Sequence, residues 1–243
     1  MGRRPIPELF LGLLSLAVAA VWIGHVFATT IHDAKHAGDT VTITGSARVP
    51  IGSNLVDWSV RVDGVAATPV AAARKLRRES AAAVAFLRRA GIGPTEIEPQ
   101  VVQSETIVTR IDKHHLRTTY RVSQGLDVST AKIDVVEAAA KQLGSLLERG
   151  ITVSAGPLAY VSTRLQQAKL DALQAATGNA RRRADILVDG LGGSVGRLRA
   201  SSLGVYQIVP RNSTEVSDYG VDDTSSRLKD VVAVVSATFA VTR

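Results

Sequence analysis

Four of the five histidines in this chain come in two pairs, and these are the first residues to test for chemistry. His32 and His36 stand at i and i+4 with Asp33 beside them. On a helix that spacing puts both imidazoles on one face, as a zinc site requires. No HExxH pattern and no third ligand accompany them, so a solvated stalk accounts for them better. His114 and His115 fall at a predicted hairpin tip, where polar residues are ordinary; imidazole titrates near neutrality, which would make a contact there pH-sensitive. Serine, histidine and aspartate all occur, but no Gly-x-Ser-x-Gly turn joins a strand to a helix, so Ser-His-Asp hydrolysis has no motif. Gly192-Gly193-Ser194-Val195-Gly196 follows a helix and precedes a strand. A phosphate-cradling loop needs the opposite order, so this segment reads as a helix-ending turn. Glu215, Asp218, Asp222 and Asp223 are spaced carboxylates without the register of a calcium loop, and they read as a surface loop. Arg181-Arg182-Arg183 is the longest basic run; at least two of its guanidiniums are expected on a solvated helix face, with pairing to a neighbouring subunit's carboxylates as the alternative. Asn212-Ser213-Thr214 matches a glycosylation sequon, a pattern too common to carry weight. No catalytic, cofactor-binding or metal residues are assigned, and the expected activity is binding and assembly rather than catalysis.

Composition narrows the classes further. With 243 residues, 45% hydrophobic and 21% charged, the chain can bury a real core and is not of disordered type. Aromatics make up only 4%, so the core must be built from small aliphatics, and aromatic ligand cages are short of material. Cysteine is absent, which excludes disulfides, thiolate metal sites, cysteine nucleophiles and a lipoprotein anchor. The net charge of +7 is scattered and comes without a nucleic-acid motif or an aromatic-basic platform, so no nucleic acid is expected as a partner.

The elements that must position these residues begin with Leu9–Ile31, an apolar run on the order of 20 residues, the length needed to cross a bilayer core. Arg3 and Arg4 favour a cytoplasmic amino terminus and send the rest outward. A cleaved signal peptide is the rival reading, and either one exports the domain. The expected organisation is therefore an anchor or signal at 1–31, a stalk at 32–39 and an extracytoplasmic domain at 40–243. Alternating strands are read at Val41–Val49 and around Trp58–Val62. A helix follows from the Thr68 cap and Pro69 to Gly91, with Val70, Ala73, Leu76, Ala83, Val84 and Leu87 as its stripe. Two strands flank Asp112–His115, and a second helix runs from Ser129/Thr130 to Gly150, burying Ile133, Val136, Ala140, Leu143 and Leu147. Beyond a strand bulged at Gly156-Pro157 comes a long alanine-lined helix over 165–191, then strands near 194–210 and 230–242 with a polar loop between them. The expected class is α+β: an N-terminal transmembrane helix, then two hairpin-plus-helix units with helices packed on antiparallel or mixed sheet.

This organisation resembles the SIMPL-domain proteins of bacterial envelopes. Four features carry the resemblance: the opening strand Val41–Ala47 with Gly45, the helix from Ala168 through Asn179-Ala180-Arg181-Arg182-Arg183-Ala184, its exit at Gly192-Gly193-Ser194-Val195-Gly196, and the closing strand Val231–Val241. It covers 40–243 and departs from the family pattern at Arg48–Trp58, where Pro50-Ile51-Gly52-Ser53-Asn54 intervenes before the second strand. The resemblance implies a non-enzymatic protein that forms homo-oligomers, with other envelope proteins as further partners. Some members are tied to oxidative-stress tolerance. No catalytic residues carry over. A pore formed by a ring of anchored copies is the alternative it leaves open, with a hydrolase using an unrecognised site behind that.

Overall fold

The computed structural model describes residues 39–214 and 217–242. In chain order the elements are β1 (Thr40–Gly52), β2 (Leu55–Ala66), α1 (Pro69–Arg89), β3 (Ile97–Pro99), β4 (Gln103–Arg110) and β5 (Leu116–Thr130). Then follow α2 (Ile133–Gln142), α3 (Gly144–Glu148), β6 (Val153–Ala155), β7 (Ala159–Val161) and α4 (Leu165–Asp189). The chain closes with β8 (Ser194–Leu203), β9 (Gln207–Pro210), β10 (Val221–Asp222) and β11 (Leu228–Thr242). It divides into two compact units, to both of which β1, α4 and β11 contribute residues.

The larger unit holds 48–172 and 205–233. Its spine is the antiparallel ladder of β2 with β5, from Val56↔Thr130 to Ala66↔Tyr120. The two-residue period of a strand explains its sides: Val56, Trp58, Val60 and Val62 are buried, while Asp57, Ser59 and Arg61 are exposed. β3 and β4 follow one another along β5, and β6 and β7 both pair with β2. Helix α1 starts as its sequence predicts, with the Thr68 hydroxyl accepting from the Ala71 N–H and Pro69 in the first turn. It lies on β2 where Gly64 leaves no room for a side chain: a Cβ there would stand 2.4 Å from the Ala72 carbonyl oxygen and 2.5 Å from the Leu76 nitrogen. That approach sets the helix rotation. Ala72, Leu76, Ala83 and Leu87 are buried, whereas the expected stripe members Val70 and Ala73 are exposed. The second expected helix is broken at Leu143 into α2 and α3, which brings Leu146 rather than Leu147 into the core. The expected polar loop after β9 contains β10, paired parallel to β9, and the start of β11 pairs antiparallel to β9.

The smaller described unit holds 39–47, 173–204 and 234–242. Here β11 runs between β1 and β8, antiparallel to β8 from Val235↔Leu203 to Thr242↔Ser194. Gly45 of β1 meets α4 as Gly64 meets α1, with a Cβ position 2.4 Å from both the Ala176 oxygen and the Ala180 nitrogen. Ala176, Ala180, Ala184 and Val188 are buried at every fourth position, the spacing of one helix face. Small side chains are what let helix and strand come this close.

The expected hairpin-plus-helix tandem is not what forms. β1 pairs with β11 and β2 with β5, in separate sheets. The physical reason lies in Pro50–Asn54. The Ser53 N–H donates to the Arg227 carbonyl at 2.8 Å and the Asn54 N–H to the Val161 carbonyl at 3.0 Å, so the link is tied to distant segments instead of folding β2 back on β1. The α+β expectation is thus corrected to a mixed α/β architecture on two sheets. Its transmembrane component is not found either: no helix among the described residues is long and apolar enough to cross a membrane. The run Leu9–Ile31 and the stalk residues up to 38 lie outside the described residues.

Candidate functional site

The part of the larger unit with least to hold it is the hairpin of β4 and the first half of β5. The two strands pair from Gln103↔Ser123 to Arg110↔Leu116, and every residue of β4 except Ile107 is exposed. Beyond Tyr120, where β2 stops pairing with β5, only the ribbon of 107–110 with 116–119 remains, and nearly all of it is exposed. Val108 and Leu116, on the side continuous with the core, are 58% and 63% exposed, and Ile111 is 57% exposed. A two-stranded ribbon bare on both faces is marginal on its own in water.

Two devices stiffen this arm. At its tip the Asp112 carboxylate accepts from the His114 N–H at 2.8 Å and the His115 N–H at 2.9 Å, and lies 2.8 Å from His115 Nδ1. The His114 N–H first, and then the imidazole, hold this carboxyl below the usual range. At the base, Arg121 reaches Glu105 at 3.2 Å. Arg61 donates to Gln103 Oε1 at 3.1 Å and to the Ser123 hydroxyl at 3.0 Å. These groups line a polar trough of about 370 Å³ in which both guanidiniums are already engaged.

The backbone of β4 has one free side. The Ile111 N–H donates to the His115 carbonyl at 2.9 Å, and the Thr119 hydroxyl donates to the Ile107 carbonyl at 3.5 Å. Residues 103, 105, 107, 109 and 111 therefore turn their peptide groups to β5. Ser104, Thr106, Val108 and Arg110 turn theirs outward, and among the described residues β4 pairs with no strand but β5. Such an edge is a template for another strand.

A family model described as SIMPL, a protein of unknown function (DUF541), matches residues 41–239. The chain belongs to the SIMPL family. No curated protein matches it. One solved structure with some likeness is a Burkholderia cenocepacia protein provisionally assigned as an amidohydrolase/peptidase; identity is 14%, the TM-score is 0.21, and the match covers 60% of this chain and 37% of that one. The SIMPL chain thus spans little more than a third of that structure's length, and the likeness carries no argument.

Within the SIMPL domain the residues singled out by sequence are dispersed. His114 and His115 do sit at a hairpin tip, and no hydrogen bond joins either imidazole to a serine or threonine hydroxyl among the described residues. His32, Asp33 and His36 lie outside those residues, as does Glu215. Asp222 belongs to β10, and the Asp223 carboxylate accepts from the Ser225 N–H and hydroxyl at 2.8 and 2.7 Å. No group of three or more potential metal ligands occurs among the described residues. Gly192 has φ +77° and its N–H bonds back to the Asp189 carbonyl, so the glycine run ends α4 as expected. All three arginines of the run are exposed, as expected of a solvated helix face, and two of them also bond to strands. Arg181 stacks 5.3 Å from the Phe239 ring and donates to the carbonyls of Val195 and Gly196, and Arg183 donates to the Thr44 carbonyl at 2.7 Å. Both guanidiniums thus tie α4 to its neighbouring strands. Asn212, in the sequon, adopts φ +65°, and its N–H donates to Asp230, which Arg48 also holds at 3.0 Å. The arm itself carries a sequence signal that motif reading does not register. Polar residues occupy both parities of β4, with Gln103, Glu105 and Thr109 on one side and Ser104, Thr106 and Arg110 on the other.

Proposed function

We propose that this SIMPL protein is a non-enzymatic envelope protein whose activity is self-assembly through the β4–β5 arm. The observation that carries the reading is the arm itself, whose strand β4 is exposed except at Ile107 and pairs, among the described residues, with no strand but β5. Such an edge offers its free peptide groups to another strand, the mode of recognition in which a strand is added to a sheet. Placement outside the cytoplasm, with a membrane tether, rests on the apolar sequence Leu9–Ile31 behind Arg3 and Arg4.

The test is the mass of the full-length protein in mild detergent, by light scattering corrected for bound detergent. A discrete oligomer is expected. A monomer at every accessible concentration would sink the reading. Placement is tested separately with reporter fusions after residue 39, where an enzyme active only outside the cytoplasm should be active and a cytoplasm-only reporter silent.

A further inference from the structure

We propose that two copies of this chain join β4 to β4, antiparallel, about a two-fold axis passing beside Ile107. The proposal rests on the self-assembly reading and specifies its contact. Three observations carry it: the free edge of β4, the outward peptide groups at 104, 106, 108 and 110, and the placement of charge along the strand.

A two-fold axis that continues a sheet leaves each side chain on the face where it began. Residues of opposite copies can then face each other only if their numbers have the same parity. Centring the axis on Ile107 sets Thr106 opposite Val108 and Ser104 opposite Arg110 of the second copy. All four outward residues of β4 then exchange backbone hydrogen bonds. Ile107 faces its own counterpart, and Glu105 faces the second copy's Thr109. Thr109 is paired within its own hairpin to Arg117, an exposed arginine with no ion pair among the described residues. Each Glu105, held on one side by Arg121 of its own copy, therefore meets a second guanidinium across the junction.

Neighbouring registers do worse. Centring on Thr106 places the two Glu105 carboxylates diagonal to one another, and like charges at that separation oppose pairing. Centring on Val108 pushes Glu105 opposite Ile111, beyond the end of the strand, and shortens the ladder. Parallel pairing cannot arise from a two-fold that preserves the faces of the sheet.

The chain has no cysteine, so single thiols report the register without background. Full-length Ile107→Cys protein in mild detergent, under copper-phenanthroline-catalysed air oxidation, should give a disulfide-linked dimer. Facing residues in a non-hydrogen-bonded pair have Cα atoms about 4.5 Å apart, inside disulfide range. Glu105→Cys and Thr109→Cys should each crosslink poorly alone, since like positions are offset by about 13 Å along the strand. Mixed together they should crosslink about tenfold more than either alone, given how steeply disulfide formation depends on Cα separation. Both residues are exposed, so these variants hold if Ile107→Cys disturbs the strand. Two results would overturn the proposal. An oligomer of unchanged mass without crosslinks at 107 or between 105 and 109 removes the register and leaves assembly standing. A monomer of the wild-type protein removes both.

Discussion

Gly45 and Gly64 mark the two places where a strand and a helix are closest, and both follow one rule. Any side chain at either position would overlap helix backbone, which cannot swing aside as a side chain can. Gly64→Ala is expected to lower stability by about 3 kcal/mol, near the upper end for overpacking, measured by denaturant unfolding. Gly144 is the contrast: it lies in α3, and a Cβ added there would meet nothing within 4 Å. Gly144→Ala should therefore raise stability by about 0.4–1 kcal/mol, chiefly by restricting the unfolded chain. Glu96 offers a pH test. Its carboxylate accepts from the Thr130 hydroxyl at 2.7 Å, the Gly93 N–H at 2.5 Å and the Lys132 ammonium at 2.9 Å. The Thr130 bond first, and the others after it, hold its pKa down from 4.5 to about 2. The folded value lies below the unfolded one, so the stabilisation is full above about pH 4.5 and drains away as pH falls toward 2. Glu96→Gln should flatten that limb of the stability curve; an unchanged acid limb would show that the bonds contribute nothing.

At the scale of elements, the arm separates folding from association. Thr106 turns its N–H away from β5, so Thr106→Pro removes no bond of the hairpin while blocking the outer edge. Its melting temperature should stay within a few degrees of wild type and its oligomer mass should fall. Ile107→Pro, whose N–H faces β5, should cost the hairpin itself. Most elements are readable in the sequence through their period: β2 alternates cleanly, α1 announces its start at Thr68-Pro69, and α4 shows its alanine line. Which strands pair is not readable in that way. That choice is made by contacts such as Ser53 to Arg227, whose partners are far apart in the chain and have no local signature. The rotation of α1 escapes the periodic reading for the same kind of reason, because burial of Ala72 rather than Val70 is dictated by a glycine on another element. The alternation of Val102, Thr106 and Val108 locates the strand and its tip but not its exposure, which is legible only in the polar residues on both parities of β4.

For the molecule as a whole, neither unit is a continuous stretch of sequence. The smaller one takes β1 from one side of the larger unit's residues and the end of β11 from the other. Truncation after Gly204 should consequently leave β1 without its partner, and the shortened protein should be degraded or aggregate rather than persist as a stable fragment; a soluble, cooperatively melting product would contradict this. The same layout has a temporal side. A ribosome releases β1 well before its partner strand β11, with every other described element made in between. Until β11 is made, β1 has no strand to pair with, and Val41 and Ile43 lack Ala237 and Phe239 of the cluster they pack against. Completion of this unit therefore waits for β11, and the apolar side of β1 stays uncovered for longer than it would in a unit built from contiguous sequence.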